Sequence, residues 1–311
     1  MGEKTGIEWA DSTANLWMGC TKISPACDNC YAERDFAEFH KMVEWGPHGD
    51  RRYVKAGWSL IEKMNRKAAK NNGVDPELGR KRRIFVNSLS DFFDNHKSIL
   101  PEWRKRAFEI FEACDNVIIM LVTKRPENIA KMVPSHWMER WPDHVWLMVT
   151  TEDQIRADHR CSILKTIPAK VKAVSVEPML GPVDLGEWLP WGCTAPHCPC
   201  KTESECMEHG INWVVIGGES GLNARPTNPA WVYALVEQCR QANVPVMFKQ
   251  WGEWFPYGGI DAEGHQNSRT MGEKPGVWHQ WPDGEGFSVR IGKKQAGRYV
   301  DGELLDGYPK D

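Results

Sequence analysis

The sequence contains no long apolar run and has almost no net charge. Its longest apolar stretches fall well short of the roughly 18 residues that a membrane-spanning helix needs, and residues 1–5 lack the apolar block of a secretory signal. Lys and Arg total 39 against 42 for Asp and Glu, a net charge of −3, which argues against a protein that coats nucleic acid. We therefore expect a soluble, cytoplasmic protein without membrane contact.

The composition is otherwise that of a folded protein with an excess of two residue types. Of the 311 residues, 41% are hydrophobic and 26% are charged, which excludes wholesale disorder. The chain has 16 Trp and 10 Cys. In a cytoplasmic protein, so many cysteines more often indicate metal ligands or reactive thiols than disulfides.

Short apolar runs alternate with amphipathic segments along the chain. Such runs are typical of strands buried on both faces of a parallel sheet, and the alternation predicts an α/β fold. A strand near residues 16–18 would open the series. The expected architecture is a partial TIM-like (βα)6-7 barrel. The other predicted strands cover residues 83–88, 117–123, 145–150, 171–177, 213–217 and 244–249, and the predicted helices cover 102–113, 127–132, 154–165 and 229–241.

Three segments interrupt or follow the alternation. Residues 40–82 form an inserted segment whose expected helix has a basic face, and residues 186–210 form a Cys-rich insertion. Gly and Pro dominate after residue 253, so residues 254–311 are expected to be an irregular extension packed on a barrel of residues 1–253. The basic residues of the inserted helix are Lys63, Arg66, Lys67 and Lys70.

Polar residues follow most of the predicted strands. In a barrel, the carboxyl ends of the strands line the functional mouth, so these residues are expected around one cavity. Carboxylates there would accept from an ammonium or from ribose hydroxyls, a lysine would bind an anion, and a tryptophan would stack on a base. The candidates are Ser88, Asp91, Thr123, Lys124, Glu152, Glu177, Gly217, Gly218, Glu219 and Trp251.

Three cysteines follow the first predicted strand in the pattern Cys-x6-Cys-x2-Cys: Cys20, Cys27 and Cys30. Three thiolates leave one iron of a [4Fe–4S] cluster open, the arrangement needed to bind S-adenosylmethionine for radical chemistry. Two alternatives are a zinc site completed by a histidine and three unrelated thiols.

Motifs spread over nearly the whole chain resemble a phage-associated protein family of unassigned activity that is grouped with the radical S-adenosylmethionine (radical SAM) enzymes. The resemblance implies the fold and the cofactor class, a [4Fe–4S] cluster with S-adenosylmethionine. The motifs include the segments at 6–9, 17–25, 27–32, 90–92, 123–126, 177–182, 217–221, 248–252 and 292–298.

A second group of cysteines lies in the insertion: Cys193, Cys198, Cys200 and Cys206. Four sulfurs so close in sequence predict a closed tetrahedral zinc site, with an auxiliary iron–sulfur cluster or free thiols as alternatives. Cys114, Cys161 and Cys239 fall in helical patterns and are expected to be core residues.

Two functions are consistent with these patterns. The first is a radical SAM enzyme that receives electrons from a reductase or flavodoxin and acts on an unknown substrate, with a nucleotide or nucleic acid as the candidate class. The second is a non-catalytic, metal-stabilised module in which the basic helix binds nucleic acid or a protein.

Overall fold

A computed structural model describes residues 2–190, 210–257, 277–282 and 286–309. The chain divides into two compact units. The first comprises residues 1–149 and 163–172, and the second comprises residues 150–162 and 173–311. The predicted division at residue 253 stays a prediction.

The main sheet has seven parallel strands in the order β1-β4-β5-β6-β7-β8-β9. Most are runs of β-branched and other apolar residues that are buried throughout, as strands covered on both faces require. The strands are β1 (Ser12–Ala14), β4 (Arg82–Val86), β5 (Val117–Thr123), β6 (Val145–Thr150), β7 (Lys172–Val176), β8 (Trp213–Gly217) and β9 (Val246–Gln250).

The helices bury one face each. In α1 the buried residues Trp58, Ile61 and Met64 recur at helical spacing. The last long helix begins with Asn228, whose side chain accepts from the Ala230 N–H, and with a proline at its first position. The described α-helices are α1 (Lys55–Ala69), α2 (Pro101–Ala113), α3 (Ile129–Met132), α4 (Gln154–Thr166), α5 (Pro229–Gln241) and α6 (Lys293–Ala296).

The predicted partial TIM-like barrel is wrong, because the sheet is open, with β1 and β9 as its two edges. Each edge is covered by a terminal segment of the chain. Gly2 forms an antiparallel bridge with Thr13 of β1, and Asp306 forms one with Met247 of β9. In a closed barrel, the backbone groups of the first and last strands would pair with each other. Here some of these groups are bonded to the two terminal segments.

The first strand also differs from the prediction. Trp17 and Met18 form β2 (Trp17–Met18), which pairs antiparallel with β3 (Arg52–Tyr53) outside the main sheet. The strand that joins the parallel sheet is β1. Its sequence is polar, so the pattern of apolar runs did not identify it. Its buried Ser12 hydroxyl donates to the Glu3 carbonyl over 2.6 Å, which satisfies a polar group inside the sheet.

The segment after residue 253 is more regular than expected. Its described parts contain a three-stranded antiparallel sheet and a two-stranded hairpin. The six other predicted strands of the series are confirmed to within a few residues, as are the three long predicted helices. The strands of this segment are β10 (Trp254–Pro256), β11 (Trp278–Gln280), β12 (Phe287–Arg290), β13 (Tyr299–Val300) and β14 (Glu303–Leu304).

Candidate functional site

The loop after β2 holds Cys20, Cys27 and Cys30, and all three residues are half-buried. Pro25–Cys27 forms a single 3-10 turn, and a π-helical segment, Glu33–Phe39, follows the last cysteine. Cys30 packs against a small apolar cluster that includes Met18 and Leu89. The loop is therefore a folded segment of the first unit that brings three thiols onto eleven residues.

Arg125 lies two residues after the end of β5 and forms hydrogen bonds with the start of this loop. Its Nη1 lies 3.6 Å from Cys20 Sγ, and its Nη2 donates to the Thr21 carbonyl over 2.8 Å. The neighbouring Arg51 donates through Nη2 to the Thr21 hydroxyl over 2.7 Å. Two guanidinium groups thus hold the Cys20–Thr21 dipeptide.

Two buried aspartates balance the charge of these arginines. Arg125 Nη1 lies 3.0 Å from Asp91 Oδ2, and Arg51 Nε lies 2.8 Å from Asp94 Oδ2. All four side chains are at most 8% exposed. Because buried charges are costly unless paired and hydrogen-bonded, the pairing of two cations with two anions lowers the cost of burying all four.

Burial dominates the acidity of the Cys20 thiol. It raises the pKa of Cys20 to about 11, although the Arg125 cation acts in the opposite direction. Burial also disfavours the charged form of Arg125, but Asp91, Cys20 and Asp94 outweigh that effect and raise its pKa above the ordinary value.

The loop after β4 is joined to the cysteine loop by backbone and side-chain hydrogen bonds. Asn87 takes a left-handed conformation with φ of 64°, which asparagine tolerates, and its Oδ1 accepts from the Leu16 N–H. The hydroxyl of Tyr31, next to Cys30, donates to the Ser88 carbonyl over 2.8 Å. The half-buried Ser88 hydroxyl bonds to Asn15.

Of the predicted site residues in the first unit, Asp91 and Thr123 belong to the arginine network. The Thr123 hydroxyl donates to Asp91 Oδ1 over 2.7 Å, and both residues are buried. Lys124 is half-buried, and its backbone N–H donates to Asp91 Oδ2. In this arrangement Asp91 and Thr123 support the cysteine loop, and their predicted role in cofactor binding stays a prediction.

An iron–sulfur cluster is held by cysteine thiolates that lie close together. Within the described residues, no group of three or more His, Cys, Asp or Glu side chains is placed to share one ion. The chemistry of the donors nevertheless fits the cluster that the resemblance implies, because Cys20, Cys27 and Cys30 are thiols on one short loop. The Arg125 cation beside Cys20 also suits an anionic thiolate-bound group.

In the second unit, Glu152 is fully buried and paired with Arg160 of α4. Arg160 Nη1 lies 2.8 Å from Glu152 Oε2 and also donates to the Thr150 carbonyl over 2.7 Å. The exposed fraction of the two side chains is 0% and 5%. Glu152 therefore holds α4 to the end of β6, and its role as a ligand-binding acid stays a prediction.

The predicted residue Glu177 forms an ion pair with Lys249 in this unit. Glu177 directly follows β7, and Lys249 lies near the end of β9. Their charged groups are in contact, and both side chains are slightly exposed. Gly217, at the end of β8, lies beneath them. A Cβ there would stand 3.1 Å from the Glu177 side chain and 3.5 Å from that of Lys249. The missing side chain leaves room for the ion pair.

The Gly217-Gly218-Glu219 segment is tightly packed after β8. Glu219 is 6% exposed and receives two side-chain bonds from Arg225, the closer one over 2.6 Å. The Gly218 N–H donates to the Gln250 carbonyl over 2.8 Å. The segment thus ties β8 to β9 and to the loop that follows it.

Trp251 is a core residue in the structure. It is 1% exposed, its Nε1 donates to the Tyr299 carbonyl, and its ring lies 4.8 Å from that of Phe248. The ring is therefore covered in this arrangement, and its stacking on a base stays a prediction.

The structure brings the predicted residues together in two groups, one in each unit. Ser88, Asp91, Thr123 and Lys124 lie around the cysteine loop, and Glu177 and Gly217 lie beside Lys249. That all the candidates surround one cavity stays a prediction.

Several buried charged residues were not identified from the sequence. Arg51 follows a Gly- and Pro-containing stretch, Asp94 lies in a loop, and Arg160 lies in the middle of α4. Nothing in their local sequence separates them from surface charges. Only the tertiary contacts show that each is a buried partner.

Of the two predictions about the remaining cysteines, one is confirmed and one is untested. The core location of Cys114, Cys161 and Cys239 is confirmed, since all three are buried. The insertion cysteines Cys193, Cys198, Cys200 and Cys206 lie outside the described residues.

Two cations of the predicted basic face have carboxylate partners. Lys63 pairs with Glu3, and Lys67 pairs with Glu77 over 2.5 Å. In the described part of the chain, no helix is both long and apolar enough to cross a bilayer.

Comparison with known proteins identifies a family for nearly the whole chain. Residues 4–309 match the model of the family described as "Protein of unknown function (DUF5131)". No curated protein and no solved structure matches the chain significantly. The predicted likeness to radical SAM and phage proteins stays a prediction. Because the match spans far more than half of the chain, the protein belongs to the DUF5131 family.

Proposed function

We propose that this protein is an enzyme that uses an iron–sulfur cluster, held by Cys20, Cys27 and Cys30, together with S-adenosylmethionine. The observation that carries the proposal is the contact between Arg125 and Cys20. A buried, charge-balanced arginine from the end of β5 holds the first cysteine of a three-cysteine loop. Structural thiols seldom need such a partner, whereas an anionic cofactor does.

When bound, such a cluster supplies the electron for reductive cleavage of the sulfonium of S-adenosylmethionine. The protein's own residues supply rigidity. Arg51 and Arg125 hold both the hydroxyl and the carbonyl of Thr21, and Tyr31 ties the end of the loop to Ser88. The loop is thereby held at both ends, as a cofactor-binding segment needs to be.

Glu177 and Lys249 are the residues that we assign to ligand binding in the second unit. A carboxylate and an ammonium side by side match the ammonium and carboxylate of a zwitterionic ligand such as an amino acid. The two side chains satisfy each other in the free protein, so their charges cost little before a ligand binds.

The electron donor of the reductase or flavodoxin type remains part of this proposal. The nucleotide or nucleic-acid substrate stays a prediction. The non-catalytic binding module is less well supported, because two of the four basic residues of its helix are already paired with Glu3 and Glu77.

Anaerobic reconstitution with iron and sulfide tests the proposal. We expect about four iron and four sulfide per chain in the loop site. Reductant and S-adenosylmethionine should then yield 5′-deoxyadenosine. To separate the loop from the insertion, the measurement is made on a variant with Cys198→Ala and Cys200→Ala as well as on the natural chain.

Cys27→Ala is the decisive variant and Cys114→Ala is its matched control. Each removes one thiol, but Cys27 lies on the loop and Cys114 is buried at the end of α2. We expect Cys27→Ala to lose the cluster and the cleavage and Cys114→Ala to keep both. A Cys27→Ala protein with normal iron content and normal product formation would exclude this site.

A further inference from the structure

The sulfur of Cys20 has a charged hydrogen-bond donor. Arg125 Nη1 lies 3.6 Å from Cys20 Sγ, within the range of a hydrogen bond to sulfur. A guanidinium does not lose its proton at physiological pH, so this donor is present under all working conditions.

The position of the guanidinium is determined by its other contacts. Its Nη2 donates to the Thr21 carbonyl, its Nη1 also contacts Asp91, and its backbone N–H donates to the Thr123 hydroxyl over 2.9 Å. Arg125 has only 7% of its side chain exposed. The group therefore cannot turn away from the sulfur without breaking several buried bonds.

We propose that Arg125 is a positioning residue that raises the reduction potential of the cluster by donating a hydrogen bond to Cys20 Sγ. This inference rests on the proposed function. Reduction adds negative charge to a cluster and its sulfurs, and a fixed cation at one sulfur stabilises the reduced form more than the oxidised form.

Asp91 opposes this effect. Its carboxylate lies 3.0 Å from Arg125 Nη1 and cancels part of the positive charge that faces the sulfur. The structure therefore contains a pair of residues with opposite influence on one ligand. Removing the cation and removing the anion should move the potential in opposite directions.

The test is a redox titration of the reconstituted full-length protein, followed by the electron paramagnetic resonance signal of the reduced cluster. For Arg125→Lys, which keeps a charge but loses the fork of donors, we expect the ratio of reduced to oxidised cluster to fall about tenfold. For a one-electron couple this is a shift of about 59 mV to lower potential. For Asp91→Asn we expect a shift to higher potential.

Arg51→Lys is the matched control. Arg51 belongs to the same network, is equally buried and holds Thr21, but its bonds go to oxygen atoms of Thr21, Asp94, Gly46 and Gly49. We expect its potential to equal that of the natural chain. Equal potentials for Arg125→Lys and the natural chain would overturn the inference, as would the same shift in Arg51→Lys.

The experiment separates this inference from the proposed function. If the natural chain binds no cluster, the proposed function is wrong. If the cluster forms and Arg125→Lys leaves its potential unchanged, only the role of Arg125 is wrong. Should Arg125→Lys not fold, a measurement on the natural chain decides the role of Arg125.

A measurement on the natural chain covers the case in which neither variant folds. Protein grown on 15N-labelled arginine is reduced and studied by nitrogen hyperfine spectroscopy. We expect a weak 15N coupling that is reduced in Arg125→Gln but not in Arg51→Lys. The absence of any coupling in the natural chain would overturn the inference.

Discussion

The α-carbon of Gly218 faces the backbone carbonyl of Trp251. A Cβ at Gly218 would stand 2.0 Å from that oxygen, a distance that no side chain can occupy. Gly218 also donates its N–H to the Gln250 carbonyl, so the two loops after β8 and β9 are in backbone contact. The glycine is required by packing.

Gly218→Ala should therefore destabilise the protein. Because the obstacle is backbone and cannot rotate away, we expect the free energy of unfolding to fall by about 1–3 kcal/mol or more. Urea denaturation followed by circular dichroism measures this change. Gly6→Ala is the control, since nothing lies within 4 Å of a Cβ at that position. Equal stability of the two variants would contradict the close approach.

The buried pair of Glu152 and Arg160 predicts a large loss of stability when one partner is removed. Arg160→Ala leaves a buried carboxylate without its cation, which costs about 3–5 kcal/mol. In the same helix, Arg156 pairs with Asp153, and both side chains are about a quarter exposed. Arg156→Ala should cost less than about 1 kcal/mol. Similar urea midpoints for the two variants would show that Glu152 is solvated.

Glu177→Gln should weaken ligand binding without unfolding the protein. The change removes the charge next to Lys249 but keeps the shape of the side chain. We expect the dissociation constant of methionine, used as a zwitterionic probe, to rise about tenfold, or about 1.4 kcal/mol. Calorimetric titration measures it. Glu187→Gln, at an exposed position of the same unit, should leave the affinity unchanged.

The core cysteines should resist alkylation in the native protein. Burial raises the pKa of Cys114 to about 11 and the pKa of Cys161 and Cys239 to about 12, from an ordinary value of 9.0. At pH 8 few of these thiols are ionised, and the thiolate is the reactive form. Mass spectrometry after iodoacetamide treatment should find them unmodified, while the half-exposed Cys27 and Cys30 are labelled.

The same shifts predict that stability falls at alkaline pH. The folded state keeps the thiol protons to a higher pKa than the unfolded state, so the stabilisation is complete below about pH 9. It is lost as the pH rises toward 11 to 12, where the folded thiols also ionise. A urea midpoint that stays constant from pH 8 to pH 11 would contradict the burial of these groups.

For the insertion, the sequence predicts one zinc ion held by Cys193, Cys198, Cys200 and Cys206. Elemental analysis of aerobically purified protein should give about one zinc per chain, with Zn–S distances of about 2.3 Å by X-ray absorption. The double variant Cys198→Ala and Cys200→Ala should lose it. Iron in place of zinc would favour an auxiliary cluster.

The sequence alone determined six of the seven strands of the parallel sheet and the presence of three closely spaced cysteines. Runs such as residues 117–123 and 213–217 are apolar throughout, and only a strand covered on both faces makes use of that pattern. The spacing of Cys20, Cys27 and Cys30 is likewise local and needs no tertiary information to be noticed.

Closure of the sheet and the partners of the charges were decided by the tertiary structure. The edge strands β1 and β9 bond to short segments at Gly2 and Asp306, and no periodicity marks such segments. The same holds for Arg125. In the sequence it is one of two adjacent cations after β5, and only burial against Asp91 and Cys20 distinguishes it from Lys124. Strand propensity is a local property, whereas edge pairing and charge pairing join residues far apart in the chain.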